Sequence, residues 1–361
     1  MATKLAEAEE KSLYADDYPE VPPGDIVAYN ELRSCADLFR MYTQKILDIQ
    51  PDFQRDIVWS PAAQTLFVDS LIKQLPIPSM CFALDNRQQK WMVIDGLQRM
   101  HSIVRFLEGG DWTLSKLDDI DPNLAGVSVA AIKTTKSPLH GYYTRVENLS
   151  IPITVLRCDF KKTKHLEYLF TIFHRLNAGG LRLNNQEIRN CIYGGPINDL
   201  LKDLDQYPNW RRLNKMRAKE HYRFTKQERI LRFFAFQERY ENYDGHLAKF
   251  LNDYMGKNRY PSEEFLNEKR NLFTSTVDCL YVKGLGSTAS DRPATVIEGA
   301  LVGIGRNLQS LDKQPVAAIQ AMYQKLAAHN EFSEAALTEG LSKKPKVIER
   351  LTTAVKIFAE K

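Results

Sequence analysis

The sequence predicts an α+β protein with a small mixed sheet in its first half and an all-helical second half. Three observations lead there. Short apolar runs bounded by turn residues, such as MCFALD, KWMVID and IPITVLRCDF, alternate with helical periodicities up to about residue 195. From Pro196 onward nearly every segment repeats its apolar residues at helical spacing. Strands mixed with helices, followed by a run of helices, is the α+β pattern. The 361 residues, 43% of them apolar, suffice for one large domain or two intimate ones without disulfides. The expected division is a polar leader over 1–24, a mixed domain over 25–195 and a helical domain over 196–361.

The elements follow in order. Residues 1–24 are polar and punctuated by proline. Ser34 is placed to cap a helix through DLFRMYTQKI, and LDIQ reads as a short strand before Pro51. Ser60-Pro61 is a helix start, a capping residue followed by proline at the first helical position. Leu66, Phe67, Leu71, Ile72 and Leu75 then predict one buried face. MCFALD and KWMVID flank Asn86-Arg87 as a hairpin-like pair. A helix from Leu97 stops at Gly109-Gly110. Residues 111–150 read as an insertion holding a short strand or helix. IPITVLRCDF is a strand, and HLEYLFTIFHRLN is a helix ended by Ala178-Gly179-Gly180. Asn184 and Glu187 fit a capping box for the helix QEIRNCIY.

The densest chemistry lies in Val93-Ile94-Asp95-Gly96-Leu97-Gln98-Arg99. An apolar strand runs into a carboxylate, a glycine, an amide and a guanidinium at the start of a helix. Such a junction suits an anion, because the first N–H groups of a helix point outward along its dipole. Gly96 permits close approach of a ligand, and Arg99 offers a planar fork that matches phosphate oxygens. Asp95 does not bind phosphate; it holds a metal, orients a water or fixes Arg99. The plainer alternative is a turn whose Asp caps the next helix while Arg99 pairs with a surface acid. His101, one turn on, is either a general base or an ordinary helix histidine.

Two further stretches carry polar groups. In LNAGGLRLNNQEIRN, Asn177, Gln186, Glu187, Arg189 and Asn190 crowd beside glycines. Glu187 fits a capping role at least as well as a catalytic one. Arg189 holds either phosphate or an internal carboxylate such as Asp95. Residues 210–240 set ten Lys/Arg, including Arg211, Arg212, Lys215 and Arg217, against three Glu, with Trp210, Tyr222, Phe224 and Tyr240 interleaved. That stripe is either a track for a nucleic-acid backbone with stacking aromatics or a core helix with a solvated basic face. Phe233, Phe234 and Phe236 belong to a core on either reading.

IDGLQRMHSI, with PDFQRDIVWS and LFVDSLIKQLPIPSM before it and FTIFHRLNAGGLRLNNQEIRNCIYGG after it, resembles the N-terminal domain of the GmrSD-type modification-dependent restriction endonucleases. The four blocks follow the family's order from about Asp48 to Gly195, and the helical close KVIERLTTAVKIF is also similar. The resemblance implies a ParB/sulfiredoxin-like fold and a site that binds, and in some members hydrolyses, nucleoside triphosphates. It also implies association with defence against foreign DNA. Asp95, Gly96, Gln98 and Arg99 match the hallmark Asp-Gly-Gln-Gln-Arg position by position. On this likeness Asp95, Gln98 and Arg99 are the candidate catalytic residues, with Asp95 the ligand for a candidate Mg²⁺. Gln54, Arg55, Gly96, Ser102, Asn177 and Arg189 are the candidate nucleotide contacts, Ser102 because a hydroxyl survives where the family has threonine. Leu97 departs from the hallmark. If it faces the ligand a polar contact is lost; if it faces the core nothing is lost. Larger members carry a His-Asn-His nuclease module, whereas here only His329 precedes an Asn, in LAAHNEF. The expectation is that the nuclease half is absent or sits on another polypeptide.

Composition narrows the rest. A net charge of +4 and 26% charged residues do not announce a nucleic-acid binder. Five scattered cysteines without a CxxC argue against structural zinc and for reduced thiols. No GxxxxGK[ST] or HExxH is present. No run reaches the ~20 apolar residues that span a bilayer, and the polar start is unlike a signal peptide, so the expectation is cytoplasmic. Three functions stand in order: a nucleotide-binding protein of a DNA-defence system, with hydrolysis left open by Leu97; a non-enzymatic module that binds DNA or a partner nuclease; and a domain that nicks DNA itself.

Overall fold

The computed structural model describes residues 23–49, 59–176, 183–216, 224–285, 293–333, 336 and 340–360. They divide into two compact units at Leu183/Asn184.

The first unit is built on a five-stranded mixed sheet ordered β1-β5-β3-β4-β2. The strands are β1 Val27–Ser34, β2 Leu47–Asp48, β3 Met80–Asp85, β4 Trp91–Asp95 and β5 Ser150–Cys158. β1 runs antiparallel to β5, β5 parallel to β3, β3 antiparallel to β4, and β4 parallel to β2. β3, apolar throughout but for its final Asp85, lies at the centre and is buried at every position, as a strand covered on both faces must be. Met80, Phe82, Leu84, Trp91, Val93, Ile151, Ile153 and Val155 point into one apolar core.

Five helices serve that core: α1 Cys35–Thr43, α2 Pro61–Ile72, α3 Leu97–Glu108, α4 Val129–Lys133 and α5 His140–Asn148. Ser34 caps α1 by accepting from the Asp37 N–H, and Ser60 caps α2 by accepting from Ala63. Val68, Leu71, Ile72, Ile103, Val104 and Phe106 fill the layer beneath the sheet. On α2 the expected face is corrected at two positions. Phe67, Leu71 and Ile72 are buried, but Leu66 is 38% exposed and Leu75 is 49% exposed. Leu66 stands on the outer side of the helix, and Leu75 lies past its end at Ile72. The insertion contributes one isolated bridge, Thr113 to Ser128, before α4 and α5. α6, Thr163–Leu176, packs against β4.

The second unit is helical: α7 Asn185–Ile192, α8 Pro196–Asp205, α9 Pro208–Leu213, α10 Thr225–Arg239, α11 Leu247–Lys257, α12 Glu263–Asp278, α13 Ala294–Leu311, α14 Val316–Ala327 and α15 Lys344–Ala359. A π-helical turn, Cys279–Leu285, continues α12. The core centres on α10, where Phe233, Phe234 and Phe236 are fully buried and Phe233 meets Phe273 of α12 edge-on at 5.6 Å. α13 and α15 approach closely because Gly303 has no side chain; a Cβ there would fall 2.7 Å from the Ala354 carbonyl oxygen. Among the described residues no helix is long and apolar enough to cross a membrane.

Candidate functional site

β4 ends at Asp95, and the chain turns into α3 through Gly96 at φ +96°. Two constraints hold glycine there. That φ is strained for any side chain, and a Cβ would lie 2.6 Å from Met80 Cγ of β3. Asp95 does not cap α3, since no side chain caps its N-terminus. The carboxylate turns instead to Arg99, one helical turn away, whose Nη2 donates to Asp95 Oδ2 at 2.7 Å. Arg99 Nη1 donates to the Pro78 carbonyl and, at 3.4 Å, to that of Ser79. The guanidinium therefore ties the entrance of β3 to the exit of β4. Its side chain is 14% exposed and that of Asp95 34%, so both still reach solvent at the mouth of the turn.

Leu97 points the other way. It is partly buried and packs against the apolar core. The residue that departs from the Asp-Gly-Gln-Gln-Arg pattern thus has a core-facing side chain.

Gln98 is a structural partner of the segment ahead of α2. Its Oε1 accepts from the Trp59 N–H at 2.9 Å, while Gln64 Nε2 donates to the Trp59 carbonyl at 2.9 Å. Gln64 is itself held by Arg105 Nη1 at 2.8 Å, and Arg105 lies over the Trp112 ring at 4.6 Å. Trp59, pinned at both backbone groups, is where the described chain resumes after Gln54 and Arg55, which lie outside the described residues. Neither Gln64 nor Arg105 is signalled by the sequence, because each acts through a backbone atom or an amide that no spacing reveals.

Ser102 is fully buried and donates its hydroxyl to the Gln98 carbonyl at 2.8 Å, which leaves no surface for a nucleotide. The His101 imidazole is pushed below its ordinary pKa by burial and then by the charge of Arg105, so it is neutral near pH 7. Cys81, paired with Asp95 across β3 and β4, has its thiol pushed up to about 12 by burial and then by the Asp95 charge; it is inert at neutral pH.

The Asn184–Asn190 block belongs to the helical unit. Asn184 and Glu187 form the expected capping box, with Asn184 Oδ1 accepting from the Glu187 N–H at 2.9 Å and Glu187 accepting from the Asn184 N–H at 2.6 Å. Arg189 is 1% exposed. The internal carboxylate it meets is Glu228, at 2.8 Å, not Asp95; it also donates to Asn252 at 2.9 Å and Gln186 at 3.2 Å. The network continues from Gln186 to Asn190 and from Asn190 to Gln227, through buried amides. So many satisfied bonds inside the core make Arg189 a brace among α7, α10 and α11 rather than a phosphate contact. Asn177 lies outside the described residues.

The basic stretch separates into two kinds of residue. Trp210 is fully buried, edge-on to Phe273 at 5.3 Å, and Tyr240 is buried; neither is a platform for a base. Phe224 is half-buried. Arg212 and Lys215 are exposed, and Arg211 is half-buried with Nη1 donating to Gln206 at 3.3 Å. Arg217 and Tyr222 lie outside the described residues. His329 caps a short 3-10 turn by accepting from the Glu331 N–H. Among the described residues no group of three or more His, Cys, Asp or Glu is arranged to hold a metal.

A family model of the GmrSD restriction endonuclease N-terminal domain matches residues 35–194. No curated protein and no solved structure matches the chain. The match begins at α1, contains the whole Asp95–Arg99 junction and ends just past α7. Over residues 35–194 the chain is thus similar to the GmrSD N-terminal domain family.

Proposed function

We propose that the chain is a nucleotide-binding, NTP-hydrolysing protein of a DNA restriction system, with its phosphate site at the Asp95–Arg99 turn. The match of residues 35–194 to a restriction-endonuclease domain model supports the restriction setting. The observation that carries the site is the pairing of Asp95 with Arg99 at a left-handed strand-to-helix turn while Leu97 is turned into the core. The polar half of the motif is then presented as a unit. Phosphate oxygens meet the first N–H groups of α3 and share the Arg99 fork. The Asp95 carboxylate orients the attacking water. Attack at the terminal phosphorus forms one P–O bond and breaks the bridging one, releasing phosphate and the nucleoside diphosphate. A Mg²⁺ brought by the nucleotide would neutralise phosphate charge, and Asp95 would be the residue that holds it. By resemblance, Gln54, Arg55 and Asn177 complete the contacts.

Phosphate release from each of the four NTPs, with and without Mg²⁺ and DNA, tests this. The wild type is expected to release phosphate, and Asp95→Asn to lose that activity while keeping its circular dichroism spectrum. Equal release by both proteins would remove Asp95 from the reaction.

A second reading has its own support. Arg99 is already engaged by three oxygens, and Arg212 and Lys215 present exposed charge on the helical unit. On this reading the chain binds DNA or a nuclease subunit without hydrolysis. A gel shift of duplex DNA without nucleotide, weakened by Arg212→Ala/Lys215→Ala with a salt slope shallower by about two, would favour it.

A further inference from the structure

β1 is an edge strand in an unusual condition. It pairs with β5 in unbroken antiparallel register over all eight of its residues, Val27 to Ser34. Among the described residues the sheet ends on its other side, so half of its peptide groups face outward with no backbone partner there. β1 contains no proline, no lysine and no bulge, and its two charged side chains, Glu31 and Arg33, pair with each other. Five of its eight residues are exposed, among them Val27 at 53%, Tyr29 at 37% and Leu32 at 71%, while Glu31, Arg33 and Ser34 are half-buried. Three of the nine large apolar side chains exposed among the described residues thus share one strand, Val27 and Tyr29 on one face and Leu32 on the other. Outward N–H and C=O groups are matched only by another extended chain.

We propose that β1 pairs antiparallel with β1 of a second copy, joining two five-stranded sheets across a twofold axis. The strand's own sequence selects this occupant and its register. Opposed residues in an antiparallel pair lie on one face, so the two positions that meet differ by an even number. Two such registers pair seven residues. One is centred on Glu31 and sets the Glu31 carboxylates of the two copies against each other, a repulsive pair. The other is centred on Asn30 and opposes no like charges. It sets Leu32 against Ala28 of the second copy, Tyr29 against Glu31, and Val27 against the aliphatic stem of Arg33. Asn30 Oδ1 already accepts from Thr154 Oγ1 at 2.9 Å, which leaves its amide N–H groups to donate to the second copy's Asn30. β1 precedes the family-matched residues, so the device belongs to this chain's own edge.

Sedimentation of the full chain over about 1–100 µM tests the pairing, a range that brackets micromolar association. The wild type is expected to dimerise. Leu32→Lys, at an exposed site that tolerates the charge, is expected to raise the dissociation constant at least about tenfold. Asn30→Cys is expected to cross-link under oxidation and Glu31→Cys to do so far less; the native cysteines do not interfere, since all five are buried. A wild type that stays monomeric throughout would overturn self-pairing and return the edge to a strand of another protein. A dimer that Leu32→Lys leaves intact would equally overturn it. Cross-linking through position 31 instead of 30 would overturn the register.

Discussion

At Arg99 the guanidinium already satisfies Asp95 through Nη2 and the Pro78 and Ser79 carbonyls through Nη1, so a phosphate must share the fork rather than find it empty. Sharing is feasible because a guanidinium carries five N–H donors. Leu97 makes the complementary case. It is packed on the core, so Leu97→Gln, which restores the family pattern, is expected to cost about 1–3 kcal/mol by burying an amide while leaving nucleotide affinity unchanged. Urea denaturation beside a binding titration reads both. A variant that gained affinity at no cost in stability would show that position 97 faces the ligand after all. The sequence itself contains the motif but not the direction of Leu97, since one residue at a helix start has no periodicity to orient it.

Among the elements, α7 shows how a motif residue is claimed by packing. Its capping box is legible from Asn184 and Glu187, three positions apart. The partner of Arg189 is not, because Glu228 lies 39 residues away on α10. With both side chains buried, Arg189→Met alone is expected to destabilise the protein by about 3–5 kcal/mol by stranding the Glu228 charge. Adding Glu228→Leu is expected to recover much of that loss. A single variant as stable as wild type would show that the pair is not a brace. The chain ahead of β1 offers a pH test. His165 Nδ1 accepts the Asp159 N–H at 3.0 Å, so the ring proton sits on Nε2, facing Asp25 Oδ1 at 2.9 Å. The hydrogen bond from Lys162, then that from His165, holds the Asp25 carboxyl at about 2, below its ordinary 3.8. A depressed carboxyl pKa stabilises the fold above the unfolded value, and that contribution is lost as the pH falls through the folded one. The difference in urea midpoint between wild type and Asp25→Asn is therefore expected to close as the pH falls from about 4 towards 2. A difference independent of pH across that window would exclude the ionised contact.

On the scale of the whole molecule, the α+β class, the β3–β4 hairpin, β5 and the helical second half are all legible in apolar spacing. The strand order is not. β1 lies next to β5 and β3 next to both β5 and β4, pairings set by long-range packing that local patterns do not encode. β1 itself is illegible because VAYNELRS is largely exposed and carries no clean alternation of burial. The family match spans 35–194 while compact packing divides at Leu183/Asn184; helix α7 carries family sequence, yet its buried partners lie on α10 and α11 of the helical unit.

The central claim is that phosphate is held at the Asp95–Arg99 turn, and calorimetric titration of nucleoside triphosphates in Mg²⁺ into wild type and Arg99→Ala tests it most directly. A charge-assisted contact contributes about 1.5–3 kcal/mol, so the folded variant is expected to bind roughly ten- to a hundredfold more weakly. Equal affinity in the two proteins, with circular dichroism unchanged, would contradict the claim and leave Arg99 as a brace between β3 and β4 alone.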